Sequence, residues 1–227
     1  MSERANVLAR IRGALTVAAP LPGHDHPARL APALPGPADQ RRVLPVVGQS
    51  FEERIALFQK NAVELRADFR LLKDLDALAV ELKSLCAAEG WQRAASHSGE
   101  LTGAACRALG LPVLLTDTGF DKRELAGCDV GISECDALVA QTGSIVVTSR
   151  SAGGRALSVL PPHHVVLARR EQLVPDLPAA FALLKSRWGE RFPSMISFIT
   201  GPSRTGDIER ILVLGAHGPR KLTVLCC

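Results

Sequence analysis

Residues 201–219 read Gly-Pro-Ser-Arg-Thr-Gly-Asp-Ile-Glu-Arg-Ile-Leu-Val-Leu-Gly-Ala-His-Gly-Pro. An apolar run, Met195 to Ile199, precedes them and reads as a buried strand. Gly201 and Pro202 punctuate the backbone and end that strand. Ser203 or Thr205 can cap a short helix, with Asp207 and Glu209 in a first turn whose dipole suits carboxylates. Gly215 then stops the helix, His217-Gly218-Pro219 makes a second turn, and Leu222 to Cys226 closes as a strand. Strand, loop, short helix, loop, strand is how an α/β protein builds a site at strand ends.

The same alternation runs back through the chain. The pattern predicts helices over 75–88, 102–109 and 176–188, with a helical turn over 121–126. Short strands are expected over 91–95, 113–115, 129–133, 145–148 and 165–168. Strands alternating with helices predict a central, mainly parallel sheet with helices on both faces. The N-terminal third differs. Residues 2–15 carry Val7, Leu8, Ile11 and Leu15 at helical spacing, and residues 51–69 continue that period through Ile55, Phe58, Ala62, Leu65 and Phe69. Between them, residues 16–48 hold seven of the 15 prolines, which predicts an extended arm. Residues 1–70 are therefore expected to form a helical extension, packed on the core or on a second subunit, and residues 71–227 the α/β core.

A second stretch, Ala140 to Ser149, places Gln141, Thr142, Gly143 and Ser144 at a turn before a β-branched strand. Such a turn offers hydroxyls and free N–H groups to an anion, or simply connects two strands with its hydroxyls bonded to their own backbone. With Leu160-Pro161 leading into His163-His164, and with Gly-Pro-Ser-x-Thr-x-Asp-Ile-Glu and Gly-x-His-Gly-Pro following in order, the chain resembles the LUD-domain family of lactate-utilization proteins over about residues 75 to 226. The resemblance implies a three-layer α/β/α fold similar to the ribose-phosphate isomerase and CoA-transferase group. It also implies a part in oxidising L-lactate to pyruvate beside iron–sulfur partner subunits. The alternative is a free-standing transferase or isomerase-like enzyme on small phosphorylated, acyl or CoA substrates. Many members of the family carry Glu where this chain has Gln141. A neutral amide is neither nucleophile nor base, so covalent acyl-carboxylate chemistry is disfavoured here. Glu134 is the nearest substitute.

Arg155, beside Gly153 and Gly154, offers a planar fork for a carboxylate or phosphate, or is a solvated turn residue. His163 and His164, adjacent on a strand, face opposite sides and cannot readily share a metal; one, taken as His163, is expected to reach the ligand and the other to face core or solvent. Arg204 is the expected anion partner in the 201–219 stretch, with Ser203, Thr205 and Gly218 around it. His217 is a candidate base or hydrogen-bonding group, or a loop histidine bonded to a carbonyl. A Ser203–His217–Asp207 triad lacks the G-x-S-x-G setting of a nucleophile. The ligand expected where the Thr142–Ser144 turn, the Arg155 segment and the Arg204–His217 loops converge is a small anion.

Composition narrows the class. The chain has 227 residues, 47% hydrophobic and 22% charged, with a net charge of +4. The basic residues are scattered and tyrosine is absent, which disfavours nucleic acid as a partner. No apolar run is long enough to span a bilayer, and the first residues are charged and amphipathic, so a cytoplasmic protein is expected. The six cysteines, at 86, 106, 128, 135, 226 and 227, form no C-x-x-C pair and no metal-ligand spacing. No metal site or cofactor is expected in this chain, and iron–sulfur clusters only in partner subunits. A homo-oligomer is left open.

Overall fold

The computed structural model describes residues 3–16, 44–189, 191–205, 213–215 and 217–227. The chain divides into two units, Met1–Val43 and Leu44–Cys227. In the first, helix α1 spans Glu3–Thr16. Most of the expected proline-rich arm lies outside the described residues.

The second unit begins with α2 (Phe51–Glu64), started by a capping box in which Ser50 Oγ accepts from Glu53 N–H and the Glu53 carboxylate accepts from Ser50 N–H. There follow β1 (Asp68–Leu71), α3 (Leu75–Glu89), β2 (Ala94–Ser96), α4 (Glu100–Leu109), β3 (Val113–Leu115), α5 (Lys122–Ala126) and β4 (Val130–Glu134). Asp74 caps α3 through the Ala77 N–H, and Gly90 ends it at φ 69°, a conformation open to glycine. The chain continues through β5 (Ala137–Val139), β6 (Ser144–Thr148), β7 (His163–Ala168), β8 (Leu173–Val174), α6 (Leu177–Trp188), β9 (Ile196–Ile199), β10 (Arg204–Thr205), β11 (Val213–Leu214) and β12 (Lys221–Cys226).

Six strands form a wholly parallel sheet in the order β1-β12-β7-β4-β2-β3. Alternation along each strand fills both faces. Val130, Ile132, Val165, Leu167 and Leu225 pack under Leu78, Leu82 and Leu85 of α3 and Leu101 and Ala105 of α4. On the other face, Phe69, Val166, Ala168, Leu222 and Val224 pack against Ile55, Phe58 and Ala62 of α2 and against Leu138, Ile145 and Val147. The fold is three-layered α/β, as the pattern predicts.

Four readings are corrected. Phe69 lies in β1 and not on a helix, because α2 ends at Glu64 and Arg66 at φ 64° turns the chain into the sheet edge. The core unit accordingly starts at Leu44 rather than at 71, with α2 and β1 built into it. The strands over 137–139, 144–148 and 196–199 belong to a separate four-stranded sheet, β8-β5-β6-β9, whose outer face is covered by α6. Its strands, two to five residues long, are too short for their pattern to show which sheet they join. Finally, Val213–Leu214, expected to end the short helix, is extended and pairs antiparallel with Arg204–Thr205; the rest of that expected helix, residues 206–212, lies outside the described residues. Asp207 lies outside the described residues.

Candidate functional site

After β2 the chain crosses outward to the edge strand β3 and then returns to lay β4 on the opposite side of β2. This reversal opens a crevice at the carboxyl ends of β2 and β4, the place where open α/β sheets collect ligands. Three residues, His97-Ser98-Gly99, carry β2 into α4. Gly99 is the N-cap and has no side chain to offer, so Glu134 at the end of β4 supplies the cap. Its Oε1 accepts from Leu101 N–H at 2.9 Å and Thr102 N–H at 3.2 Å. A Cβ at residue 99 would stand 2.2 Å from that oxygen.

His97 locks the crevice. Its Nε2 accepts from Glu134 N–H at 3.2 Å, and burial pushes its pKa down, against the pull of Glu134 and Asp117. The 149–155 loop closes over it. Gly153, at φ 58°, lets the backbone come so close that a Cβ would meet both His97 Cβ and Thr116 Oγ1 at 2.5 Å, while Thr116 Oγ1 donates to Gly153 O at 2.8 Å. Asp117 holds the turn through Ser98 N–H at 3.0 Å, and hydrogen bonds from Ser98 keep its carboxyl below the ordinary range. Beside this turn, between α4 and β3, opens a cavity of about 560 Å³ lined by His97, Ser98, Gly103, Cys106, Val113 and Leu115. Desolvation raises the Cys106 thiol, which keeps it protonated. The charged groups around the turn are mainly carboxylates: Glu100, Asp117 and Glu134. The α4 N-terminus is already filled by one of them, so this crevice is a poor receptor for a second anion.

The turn at Gln141–Ser144 sits elsewhere. Gly143, at φ 64°, lies against Asn61 and Ala62 of α2, and Asn61 Nδ2 donates to the carbonyls of Ala140 and Gln141. Gln141 Nε2 donates to Pro45 O at 3.0 Å, tying residues 44–48 to the turn. Thr142, Ser144 and Thr200 form a hydroxyl chain with links of 2.8 Å. Gly201 follows at φ 91°, against Leu65 O, and Arg204 Nη2 reaches Thr200 O at 3.4 Å. Ser203 N–H donates to Pro219 O, and Gly218 packs on Ser203 Cβ. Arg220 and Lys221 donate to Pro162 O at the start of β7. This corner therefore lies at the amino end of the large sheet.

The expected convergence is thus divided. At the amino end, Ser144 bonds the hydroxyl of Thr200 and Arg204 reaches the carbonyl of the same residue, with Thr205 entering the adjoining ribbon and His217 exposed on the neighbouring turn. Arg155 is not with them. It donates to Ser194 O at 2.6 Å, at the opposite end of the β6–β9 pair, in the loop that covers His97. Glu134 is on that side too. His163 is buried at the foot of β7, bonded to Thr223 Oγ1 at 2.9 Å and edge-on to Trp91, while His164 faces the other side and bonds Ser133 Oγ at 2.8 Å. The sequence reading missed His97, Ser98, Gly99 and Asp117. Polar His-Ser-Gly between an apolar strand and a helix was the available signal.

Comparison with known proteins accords with this architecture. Residues 115–226 match the LUD domain. The chain is 30% identical over 181 residues to lactate utilization protein C of Shouchella clausii, covering 76% of this chain and 78% of that one. It is 41% identical over 93 residues to lactate utilization protein C of Halalkalibacterium halodurans, where the match spans only 40% of either chain. A crystal structure of a DUF162 family protein from Deinococcus radiodurans superposes with a TM-score of 0.61 at 20% identity, covering 79% of this chain and 99% of that one. On the match to the Shouchella clausii protein and the LUD domain it contains, this chain belongs to the LUD-domain family.

Proposed function

We propose that this chain serves an L-lactate utilization system as a ligand-binding component, beside iron–sulfur partner subunits that carry the electrons from lactate to pyruvate. The observation that carries this reading is the match to lactate utilization protein C along 78% of the Shouchella clausii chain. The thiols support a division of labour: burial raises Cys135 well above its ordinary value and Cys226 to about 12, and protonated thiols are poor cluster ligands. The ligand is a small carboxylate, bound at the amino-end corner where Arg204 reaches the carbonyl of Thr200, whose hydroxyl ends the Thr142–Ser144 chain. There, among the described residues, the guanidinium is bonded only at 3.4 Å to a carbonyl, a bond weaker than one to a charged partner.

Titration calorimetry with L-lactate and pyruvate tests the corner. Arg204→Ala is expected to weaken binding by about 1.5–3 kcal/mol with little change in the unfolding midpoint. Undiminished binding by the variant sinks the corner as the site. Lactate oxidation by the purified chain alone sinks the division of labour. A free-standing acyl or CoA transferase is the weaker reading, since Gln141 is a donor to Pro45 O and Glu134 is spent on capping α4.

A further inference from the structure

Among the described residues, nothing pairs with the outer edge of the small sheet. β9 pairs only with β6 among the described residues, and Ser149 N–H donates to Met195 O. In an antiparallel pair, hydrogen-bonded positions alternate. Met195, Ser197 and Ile199 therefore bond to β6, and the N–H and C=O groups of Ile196 and Phe198 point away from it. Natural sheets usually blunt such an edge with charge, proline or a covering element. Here the strand reads Ile-Ser-Phe-Ile with no charge and no proline. Exposed apolar rings flank it. Phe181 of α6, 58% exposed, stacks against Phe198 at 5.2 Å, and Phe192, 52% exposed, precedes the strand.

Charge gathers at one end of this edge. Arg155 donates to Ser194 O, Arg150 lies over the Trp188 ring at 5.4 Å, and Arg191 follows the end of α6. None of the three has a carboxylate partner among the described residues. Arg187 is matched by the buried Asp136 at 2.7 Å. Glu190, which lies among them in the sequence, is outside the described residues. Arginine with large aromatics is the composition of interface hot spots. Three arginines at one end, unmatched among the described residues, also oppose a second copy of the chain laid on this corner.

We infer that the β9 edge receives an extended segment of a partner protein by strand addition, apolar along its length and acidic at the end that meets Arg150, Arg155 and Arg191. Backbone bonds to Ile196 and Phe198 hold the segment, Phe181 and Phe192 cover its apolar side chains, and the arginines set its direction. This inference stands apart from the lactate reading, because it invokes neither the crevice nor the Arg204 corner.

The test is selection of displayed random octapeptides on the whole protein, followed by hydrogen exchange with the selected peptides. Sequences with carboxylates at one end are expected to emerge and to slow exchange at Ile196 and Phe198. They should bind the Arg150→Glu/Arg191→Glu variant roughly tenfold or more weakly, as loss of charged hydrogen bonds requires. Both positions are on the surface, and an unchanged unfolding midpoint shows that the variant is folded. Enrichment of neutral or basic peptides, no enrichment, or protection mapping elsewhere overturns the inference. So does protection of the Ile196 and Phe198 amides in the free chain, whether from its own residues or from a second copy.

Discussion

A carboxylate from the end of one strand caps a helix that begins after another, and this works only because residue 99 has no side chain. Glu134 Oε1 takes the two N–H groups that an Asp or Ser N-cap would otherwise satisfy. Gly99→Ala puts a methyl 2.2 Å from that oxygen and must expel it. Urea unfolding should show Gly99→Ala and Glu134→Ala each less stable by about 1–2 kcal/mol, the size of a lost cap. The double variant should cost little more than either alone, and full additivity would mean that the two residues act separately. The buried histidines give a second expectation. Burial lowers His163 to about 4 and His164 to about 3, the latter also through its neighbour His163. The unfolded chain takes up protons near pH 6.5 that the folded chain refuses. Stability is therefore fully present above about pH 6.5 and falls as pH drops toward 4, by about 1.4 kcal/mol per unit for each histidine that stays neutral. In urea titrations from pH 7.5 to 5, His164→Gln should flatten that slope by about one proton. An unchanged slope would mean that His164 is protonated in the fold. Adjacent histidines on opposite faces of a strand were legible in the sequence, but their burial was not. It depends on β12 and β4 flanking β7, a pairing made across distant parts of the chain.

Among elements, the helices were the most legible, because Asp74 and Asp176 caps and glycine stops bracket clear periods. The strands over 145–148 and 195–199 were read as well, but not their separation into a small sheet, since which strands pair is settled by contacts between distant parts of the chain. The same long-range pairing split the candidate site. Ser144 opens β6 and Arg155 follows its end, so the two lie at opposite ends of that strand, while antiparallel β9 returns the chain to the Ser144 end before Arg204. Gln141 illustrates the difference between chemistry read from residue type and role read from place. As an amide it donates to Pro45 O and clips residues 44–48 onto the turn. A carboxylate cannot donate that bond. Gln141→Glu should therefore raise hydrogen exchange over residues 44–48 and cost about 0.5–1.5 kcal/mol, without conferring acyl transfer. Exchange unchanged over those residues would show that the clip contributes nothing.

For the whole molecule, the boundary of the folded unit decides what can be removed. A boundary at residue 71 follows from reading 51–69 as one helix outside the sheet. The structure instead makes β1 an edge of the parallel sheet, paired with β12 from Asp68 to Leu71, and lays α2 across the face behind it. Phe58 and Ala62 are almost wholly buried, and Phe58 meets Phe69 edge-on at 5.1 Å. Asn61 ties the same helix to the carbonyls of Ala140 and Gln141. Truncating a single buried phenylalanine costs about 3–5 kcal/mol, against a total stability of about 5–15 kcal/mol for a domain. Deleting α2 and β1 together removes two such rings, uncovers β12 and exposes the apolar face of β6. A protein of residues 44–227 should therefore unfold cooperatively in urea, whereas one of residues 71–227 should show no cooperative transition and should bind a hydrophobic dye. Circular dichroism with urea titration of the two truncations reads this directly. A sharp transition in the shorter one would mean that α2 and β1 decorate the core and are not part of it.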